Sequence, residues 1–370
     1  MLQWAKQMIS VRCRRALALP LFALFSLQAS AQDSPKIEIV PNIPHSGGVM
    51  SVAYSPDGAR FLSGSDDFTL KLWHGASRRL LRTFEGHSGG VNAVAFSRDG
   101  TRILSGSDDL SLKLWDALSG QLLRSFVDHS GSVFGVAFSP DGTRVLSGSR
   151  PTPSPDRSTY VFGGDVKLWD VATGKLLRTF EGSFHGDNPV AFSPDGAKLL
   201  AGSDEGFRLW DSDTGKLLRT FEVQSGVTSI AFSADGARVL SGGRHTLQMW
   251  NAGTGQLIWS IRAYDGHAHG ISSVAFSLDG MRIISGSKGG LKLWDAASGQ
   301  LLRFFQYPGT VMSVAFSPDG MRLLSGSEIT NVGFPTLNEW DAMTGHVSSF
   351  YGQTRWISSV AFSPEGKSVA

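Results

Sequence analysis

From about residue 50 the chain runs in short alternations of apolar and polar side chains, each closed by a glycine-bearing turn, and one phrase keeps returning. It reads VAYSPDG at Val52–Gly58, VAFSRDG at Val94–Gly100, and VAFSPDG at Val136–Gly142 and again at Val190–Gly196. It continues as IAFSADG at Ile230–Gly236, VAFSLDG at Val274–Gly280, VAFSPDG at Val314–Gly320 and VAFSPEG at Val360–Gly366. The closing glycines stand 42, 42, 54, 40, 44, 40 and 46 residues apart. A phrase repeated near one period marks a repeat architecture, in which each unit buries its apolar faces only against its neighbours.

Within a unit the pattern predicts four strands. The first, such as Ser51–Ser55, alternates with period two and ends at Pro56-Asp57-Gly58, a turn with φ preset at Pro and positive φ open to Gly. The second is apolar and runs into SGS (Phe61–Ser65), and the third is Leu70-Lys71-Leu72-Trp73. The fourth follows a D-x-x-[ST]-G turn, as at Asp170–Gly174, and reads KLLRTF over Lys175–Phe180. A lone four-stranded sheet of this size leaves both faces wet, whereas radial packing of copies about an axis buries them and keeps exposed edges short.

The unit resembles the WD repeat: Gly86-His87 before a first strand, SGSDD over Ser105–Asp109 after a second, and Trp115-Asp116 closing a third. The closing Trp recurs at Trp73, Trp169, Trp210, Trp250, Trp294 and Trp340, followed by Asp except at His74 and Asn251. The resemblance covers nearly all of the chain after its leader and implies an all-β fold, a WD40-type β-propeller of four-stranded antiparallel blades. It also implies a hydrogen-bonded set in each blade, made of His, Ser or Thr, Asp and Trp. That set is complete as His45, Ser63, Asp67, Trp73 in blade 1 and His87, Ser105, Asp109, Trp115 in blade 2. Blade 3 keeps His129, Ser147 and Trp169 with an insertion where the Asp belongs, and blade 6 keeps His267, Ser285 and Trp294 with Gly289 at the Asp position. Blades 5 and 7 lack both His and Asp.

Seven units are complete and an eighth stops inside its second strand at Ala370, which also fits a fragment of a longer protein. Eight blades are favoured over seven, because Lys36–Val40 (KIEIV) can then supply an outer strand to the last blade and fewer strands lack a partner.

The N-terminus follows other rules. Lys6, Arg12, Arg14 and Arg15 precede an apolar run, Ala16–Leu27, and then Ala29-Ser30-Ala31. This is the layout of a signal peptide over residues 1–31, with cleavage after Ala31, a lead-in over 32–49 and the propeller over 50–370. The run of about 12 apolar residues is short of the roughly 20 that span a bilayer, which sets aside an uncleaved membrane anchor. The sole cysteine, Cys13, leaves with the leader, so the mature chain has no disulfide and no thiol nucleophile. Four basic residues leave too, so a precursor net charge of +2 becomes −2, with 30 basic against 32 acidic side chains. No basic surface for nucleic acid is expected at that balance. Sec and Tat export are not distinguished, and the expected location is periplasmic or secreted.

Apparent catalytic motifs dissolve into the repeat. Gly86–Gly90 matches G-x-S-x-G, but a strand follows it where the nucleophile elbow needs a helix. Ser285–Lys288 matches S-x-x-K at an altered SGSDD turn, and His267 with His269 lacks a third metal ligand. Asn251–Trp259 is similar to the D-x-x-T-G-x-x-x-W repeat of quinone-cofactor dehydrogenases, yet the other units place Arg or Ser at the Trp position, as at Arg178. The chain therefore reads as non-enzymatic, with no cofactor and no metal, and with other proteins as partners. The competing readings are a quinoprotein-like enzyme and a peptide- or glycan-binding propeller with a pocket of Arg157, Tyr160, Arg244 and His245.

Two insertions depart from the repeat, Arg150–Gly164 in blade 3 and Glu328–Asn338 in blade 7, both between second and third strands. They emerge on one face, across the ring from each other if it has eight blades. Loops on a rigid frame carry binding residues, and aromatic and Arg side chains anchor interfaces. Arg157, Tyr160, Phe162, Arg244, His245 and Phe334 are the candidate partner-binding residues.

Overall fold

A computed structural model of the chain describes residues 45, 49–75, 77, 79–150, 152–153, 160–162, 164–184, 188–223, 226–262, 270–317, 319–327, 337–350 and 360–361. The chain divides into Met1–Ile39 and Val40–Ala370, and every described residue lies in the second unit. The proposed leader and the Lys36–Val40 strand lie outside the described residues.

The second unit is an all-β propeller of four-stranded antiparallel blades. Blade 1 takes Val49–Tyr54, Arg60–Ser65, Leu70–His74 and Leu80–Phe84 in spatial order, and blade 2 takes Val91–Phe96, Arg102–Ser107, Ser111–Asp116 and Leu122–Val127. Blade 3 is Val133–Phe138, Arg144–Ser149, Gly164–Asp170 and Leu176–Phe184, and blade 4 is Val190–Phe192, Lys198–Ser203, Gly206–Asp211 and Leu217–Glu222. Ser229–Phe232, Arg238–Gly242, Thr246–Asn251 and Leu257–Arg262 form the next sheet. The last two complete repeats share one six-stranded sheet. Arg282–Asp295 runs through a bend at Gly289 and Gly290, both at positive φ, so one stretch supplies second and third strands. Leu301–Phe316 likewise joins the outer strand of one repeat to the inner strand of the next. Six sheets of four or more strands thus carry seven repeats.

First strands of successive repeats lie side by side around the ring. Val360–Ala361 of the eighth repeat lies against Leu301–Phe316 and pairs in parallel with Val52–Ala53, making the first sheet five-stranded.

The core sits between blades. One apolar cluster joins Leu62, Leu70, Leu72 and Phe84 of blade 1 to Val91, Val94, Phe96, Ile103 and Trp115 of blade 2, and the next repeats it one blade on with Phe126 against Trp169. Phe84 meets the Trp115 ring edge-on at 5.7 Å, a favoured aromatic geometry. The SGS glycine is required by this packing. A Cβ at Gly64 would come within 2.7 Å of Val91, and one at Gly106 within 2.6 Å of Val133.

Turn chemistry repeats as faithfully. Ser55 Oγ donates to Asp57 Oδ1 at 2.5 Å, and the same carboxylate accepts the Ala59 N–H at 3.0 Å. After the third strand, Asp116 Oδ1 accepts from the Ser119 N–H at 2.6 Å. Where Asp is missing other atoms serve: Asn251 Oδ1 accepts the Thr254 N–H at 2.7 Å, and His74 Nδ1 accepts the Ser77 N–H at 3.1 Å.

Arginines lock adjacent blades. Arg60 stacks over Phe96 of the next blade at 5.9 Å and donates to the Gly100 carbonyl, and Arg238 does the same to Phe276 and Gly280. On the outer strands Arg124 donates to the Thr173 carbonyl at 2.9 Å and Arg219 to the Gly253 carbonyl at 2.7 Å. Trp259 holds this outer place in its own blade, its indole N–H donating to the Ala296 carbonyl at 3.1 Å. The lone D-x-x-T-G-x-x-x-W match therefore ends in a residue that brackets two blades.

Candidate functional site

Second-to-third-strand connections and the loops before each first strand emerge at one end of the ring. Beneath that face lies a polar relay. In blade 2 the Trp115 indole N–H donates to Ser105 Oγ at 2.9 Å, Ser105 Oγ lies 2.7 Å from His87 Nε2, and His87 Nδ1 lies 2.7 Å from Asp109 Oδ2. Blade 1 repeats it with Trp73, Ser63, His45 and Asp67 at 2.8, 2.7 and 2.9 Å. One assignment satisfies every group: neutral His with its proton on Nδ1 donates to the carboxylate, while the Ser hydroxyl donates to Nε2 and accepts from the indole. Burial pushes His45 below its ordinary value, outweighing Asp67, and so favours that neutral form. Burial opposes charge on Asp109, but bonds from His87 and Ser111 overcome it and hold the carboxyl well below the usual range.

In blade 3 the sequence pattern leaves the Asp place to an insertion, and a carboxylate from another position serves. Asp165, just beyond the insertion, bonds His129 Nδ1, accepts from Ser149 Oγ at 2.5 Å and lies 3.3 Å from Lys167 Nζ. Burial works against its charge, and His129, Ser149 and Lys167 prevail, bringing it down to about 2. The signal was its place four residues before Trp169, where Thr69 and Ser111 stand before Trp73 and Trp115.

These Ser-His-Asp sets have the connectivity of a catalytic triad, but their chemistry is closed. Ser63, Ser105 and Ser147 are fully buried, and each hydroxyl already accepts an indole N–H, so no carbonyl can reach it. Three copies in one chain serve the frame. Ser285 of the S-x-x-K match is likewise buried and accepts from Trp294 at 2.9 Å. Among the described residues the later blades show only the indole–Ser bond, as in Trp250–Ser241 at 3.0 Å and Trp340–Ser325 at 2.9 Å. Blade 4 has Ala201 in the Ser place. His267 and His269 lie outside the described residues, among which no group of three or more His, Cys, Asp or Glu could hold a metal.

On the face above, Arg244 and His245 are exposed at the tip of a second-to-third-strand turn. The blade 3 insertion forms a small antiparallel ladder of Thr152–Pro153 with Tyr160–Phe162, separate from the blade sheets. Arg157 and Phe334 lie outside the described residues. Two residues absent from the sequence expectation stand out. Phe68 and Leu110, at the equivalent turns of blades 1 and 2, are 49% and 42% exposed and sit at φ of 69° and 65°. A bulky L-residue in that region costs roughly 1–2 kcal/mol. In blade 6 the residue five places before the closing Trp is Gly289, at φ 90°.

Blades, inter-blade core and relay together specify a family. The description "WD domain, G-beta repeat" (WD40) matches residues 39–74, 78–116, 120–170, 174–211, 215–251, 258–295 and 299–328. The chain belongs to the WD40 family. WD40 propellers are typically non-enzymatic scaffolds that bind other proteins. A 55-residue stretch of this WD40 chain is 40% identical to the protein ROOT INITIATION DEFECTIVE 3 of Arabidopsis thaliana, covering 14% of this chain and 13% of that protein. Among solved structures, the computationally designed protein Ika8 is similar, with a TM-score of 0.66 and 27% identity over 88% of this chain and 96% of its own.

Proposed function

We propose that this WD40 propeller is an exported scaffold that holds another protein on the face formed by its second-to-third-strand connections. One observation carries the reading. Phe68 and Leu110 are held exposed, side chain outward, in a backbone conformation that the fold would occupy more cheaply with glycine. Strain kept at exposed apolar residues is characteristic of binding sites. Arg244, His245 and the ladder of Thr152–Pro153 with Tyr160–Phe162 belong to second-to-third-strand connections, as do the candidate contacts Arg157 and Phe334 by their places in the sequence. The export reading rests on the basic start, the short apolar run and Ala29-Ser30-Ala31.

We also infer a ring of eight places. Val360–Ala361 lies between the inner strands of the first and seventh repeats, which is where an eighth inner strand belongs.

The test is chemical crosslinking of the exported chain in its own cells, followed by mass spectrometry, beside a variant with Arg150–Gly164 and Glu328–Asn338 cut back to SGSDD length. Capture of a defined protein that is lost on trimming supports the scaffold. Equal capture by both removes the two insertions from the binding surface, equal capture after Phe68→Asn with Leu110→Asn as well removes the loop face, and recovery of the chain from the cytoplasm with residues 1–31 attached removes export. For the ring, deleting 351–370 lowers the melting temperature if eight places are filled and leaves it unchanged if seven close.

A further inference from the structure

The opposite end of the ring, built of the S-x-D-G and D-x-x-[ST]-G turns, differs sharply between blades. The residue after the S-x-D-G turn is exposed in each of the seven complete repeats, and in the first five it is Ala59, Thr101, Thr143, Ala197 and Ala237. In the next two it is Met281 and Met321, 68% and 53% exposed. Leu278 stands where other repeats carry Pro, Arg or Ala, and Met343 is 63% exposed in the neighbouring D-x-x-[ST]-G turn. Three of the chain's eight methionines thus sit on one stretch of this face.

These side chains belong to adjoining turns. Arg282 follows Met281, lies 5.8 Å over Phe316 and passes so close to Gly320 that a Cβ there would meet its guanidinium at 2.5 Å, so it ties the Met281 turn to the Met321 turn. The Met321 carbonyl accepts the Ala342 N–H at 2.8 Å, which sets Met343 beside it. Carboxylates flank the patch: Asp279 and Asp319 in the first turns, Asp295 and Asp341 in the second, each held below its ordinary value. Hydrogen bonds from Ser298 hold Asp295 there and bonds from Thr344 hold Asp341; burial opposes the charge of Asp279 and Asp319, and bonds from Ser277 and Ser317 overcome it. With Glu339 they make five carboxylates against the four guanidiniums of Arg238, Arg282, Arg303 and Arg322, Arg238 donating to the Gly280 carbonyl at 2.9 Å. Arg282 lies 3.8 Å from Asp279, Arg322 lies 2.8 Å from Glu339, and Arg303 reaches the Thr344 carbonyl.

We propose that Leu278, Met281, Met321 and Met343 form a second docking surface, for a segment of another protein that is apolar on one side and flanked by Lys or Arg. Unbranched, polarizable methionines adapt to varied apolar partners, and a contiguous exposed apolar patch is a recurrent mark of interaction sites. The surplus of carboxylates selects a basic rim on the partner and speeds its approach. The surface lies at the far end from the strained loops, so it stands whether or not those loops hold a protein.

The test measures fluorescence anisotropy of two labelled 14-residue amphipathic peptides, one of Leu and Lys and one of Leu and Glu, with the full chain. Beside it run Met281→Thr with Met321→Thr, the triple variant adding Met343→Ala, and the loop-trimmed variant. Thr at the first two positions and Ala at the third are what sibling blades carry, and an unchanged melting temperature verifies folding. The wild type and the loop-trimmed variant bind the Leu–Lys peptide, the double variant binds more weakly, and the triple variant binds at least about tenfold more weakly. Equal binding of the Leu–Glu peptide, unaltered binding by the triple variant, or loss on loop trimming overturns the proposal. So does self-association in sedimentation that the triple variant abolishes, since a second copy would then own the patch.

Discussion

Blades 1 to 3 and the last three complete repeats share one backbone plan but are held differently. The first group closes each blade with a four-member relay from indole to Ser to His to Asp, and the later group keeps the indole–Ser bond alone among its described residues. Both groups retain the inter-blade apolar clusters, such as Phe84 on Trp115 and Phe305 on Trp340. The magnitudes explain why the later blades persist. A net hydrogen bond contributes about 0.5–1.5 kcal/mol, whereas deleting a buried aromatic costs roughly 3–5 kcal/mol. Aromatic packing makes a blade, and the relay stiffens the face above it.

The largest effect should therefore be blind to this division. Trp115→Ala and Trp340→Ala should each destabilise the chain by about 3–5 kcal/mol, read by denaturant unfolding, and a much smaller loss in either would break the claim that aromatics dominate. Next, Ser105→Ala strands both an indole and a His and should cost roughly 2–3 kcal/mol, while Ser325→Ala strands one indole and should cost about 1. Equal costs would erase the distinction between the groups.

Acid should separate them further. Asp165 has an ordinary value of 3.8 and a folded value of about 2, so its contribution is whole above 3.8 and is lost as pH falls toward 2. That contribution is on the order of 2 kcal/mol. His45 is depressed below 6.5, so the unfolded chain binds more protons below that pH and stability declines as pH drops toward the folded value. Hydrogen exchange should show protection falling in blade 1 between pH 7 and pH 4 and in blade 3 only below pH 4, and uniform loss would contradict the relay's role.

The smallest effect has the sharpest sign. Phe68→Asn relieves a left-handed strain and should raise stability by up to about 1 kcal/mol while reducing partner capture. Loss of both would make Phe68 a packing residue.

Much of this was legible because the repeat supplies its own alignment. The S-x-D-G turns, the SGS glycine and the Trp each recur where the geometry demands them, and the relay of blades 1 and 2 is visible in His45, Ser63, Asp67 and their counterparts. Asp165 escaped because it stands where Thr69 and Ser111 do, two residues nearer the Trp than Asp67 and Asp109. Phe68 and Leu110 escaped because a hydrophobic letter in a turn does not announce a positive φ. The fusion of the last two repeats into one sheet depends on how sharply the chain bends at Gly289-Gly290 and Pro308-Gly309, which letters alone do not fix. Met281 and Met321 were in plain view, but only the structure sets their turns side by side.

Whether the loop face holds a protein is read by placing a photo-crosslinking amino acid at His245 and, in a separate variant, at Thr101 on the opposite end of blade 2. A single defined protein adduct is expected from position 245, and none of that adduct from position 101. The same adduct from both positions, or from 101 alone, would contradict binding on the loop face.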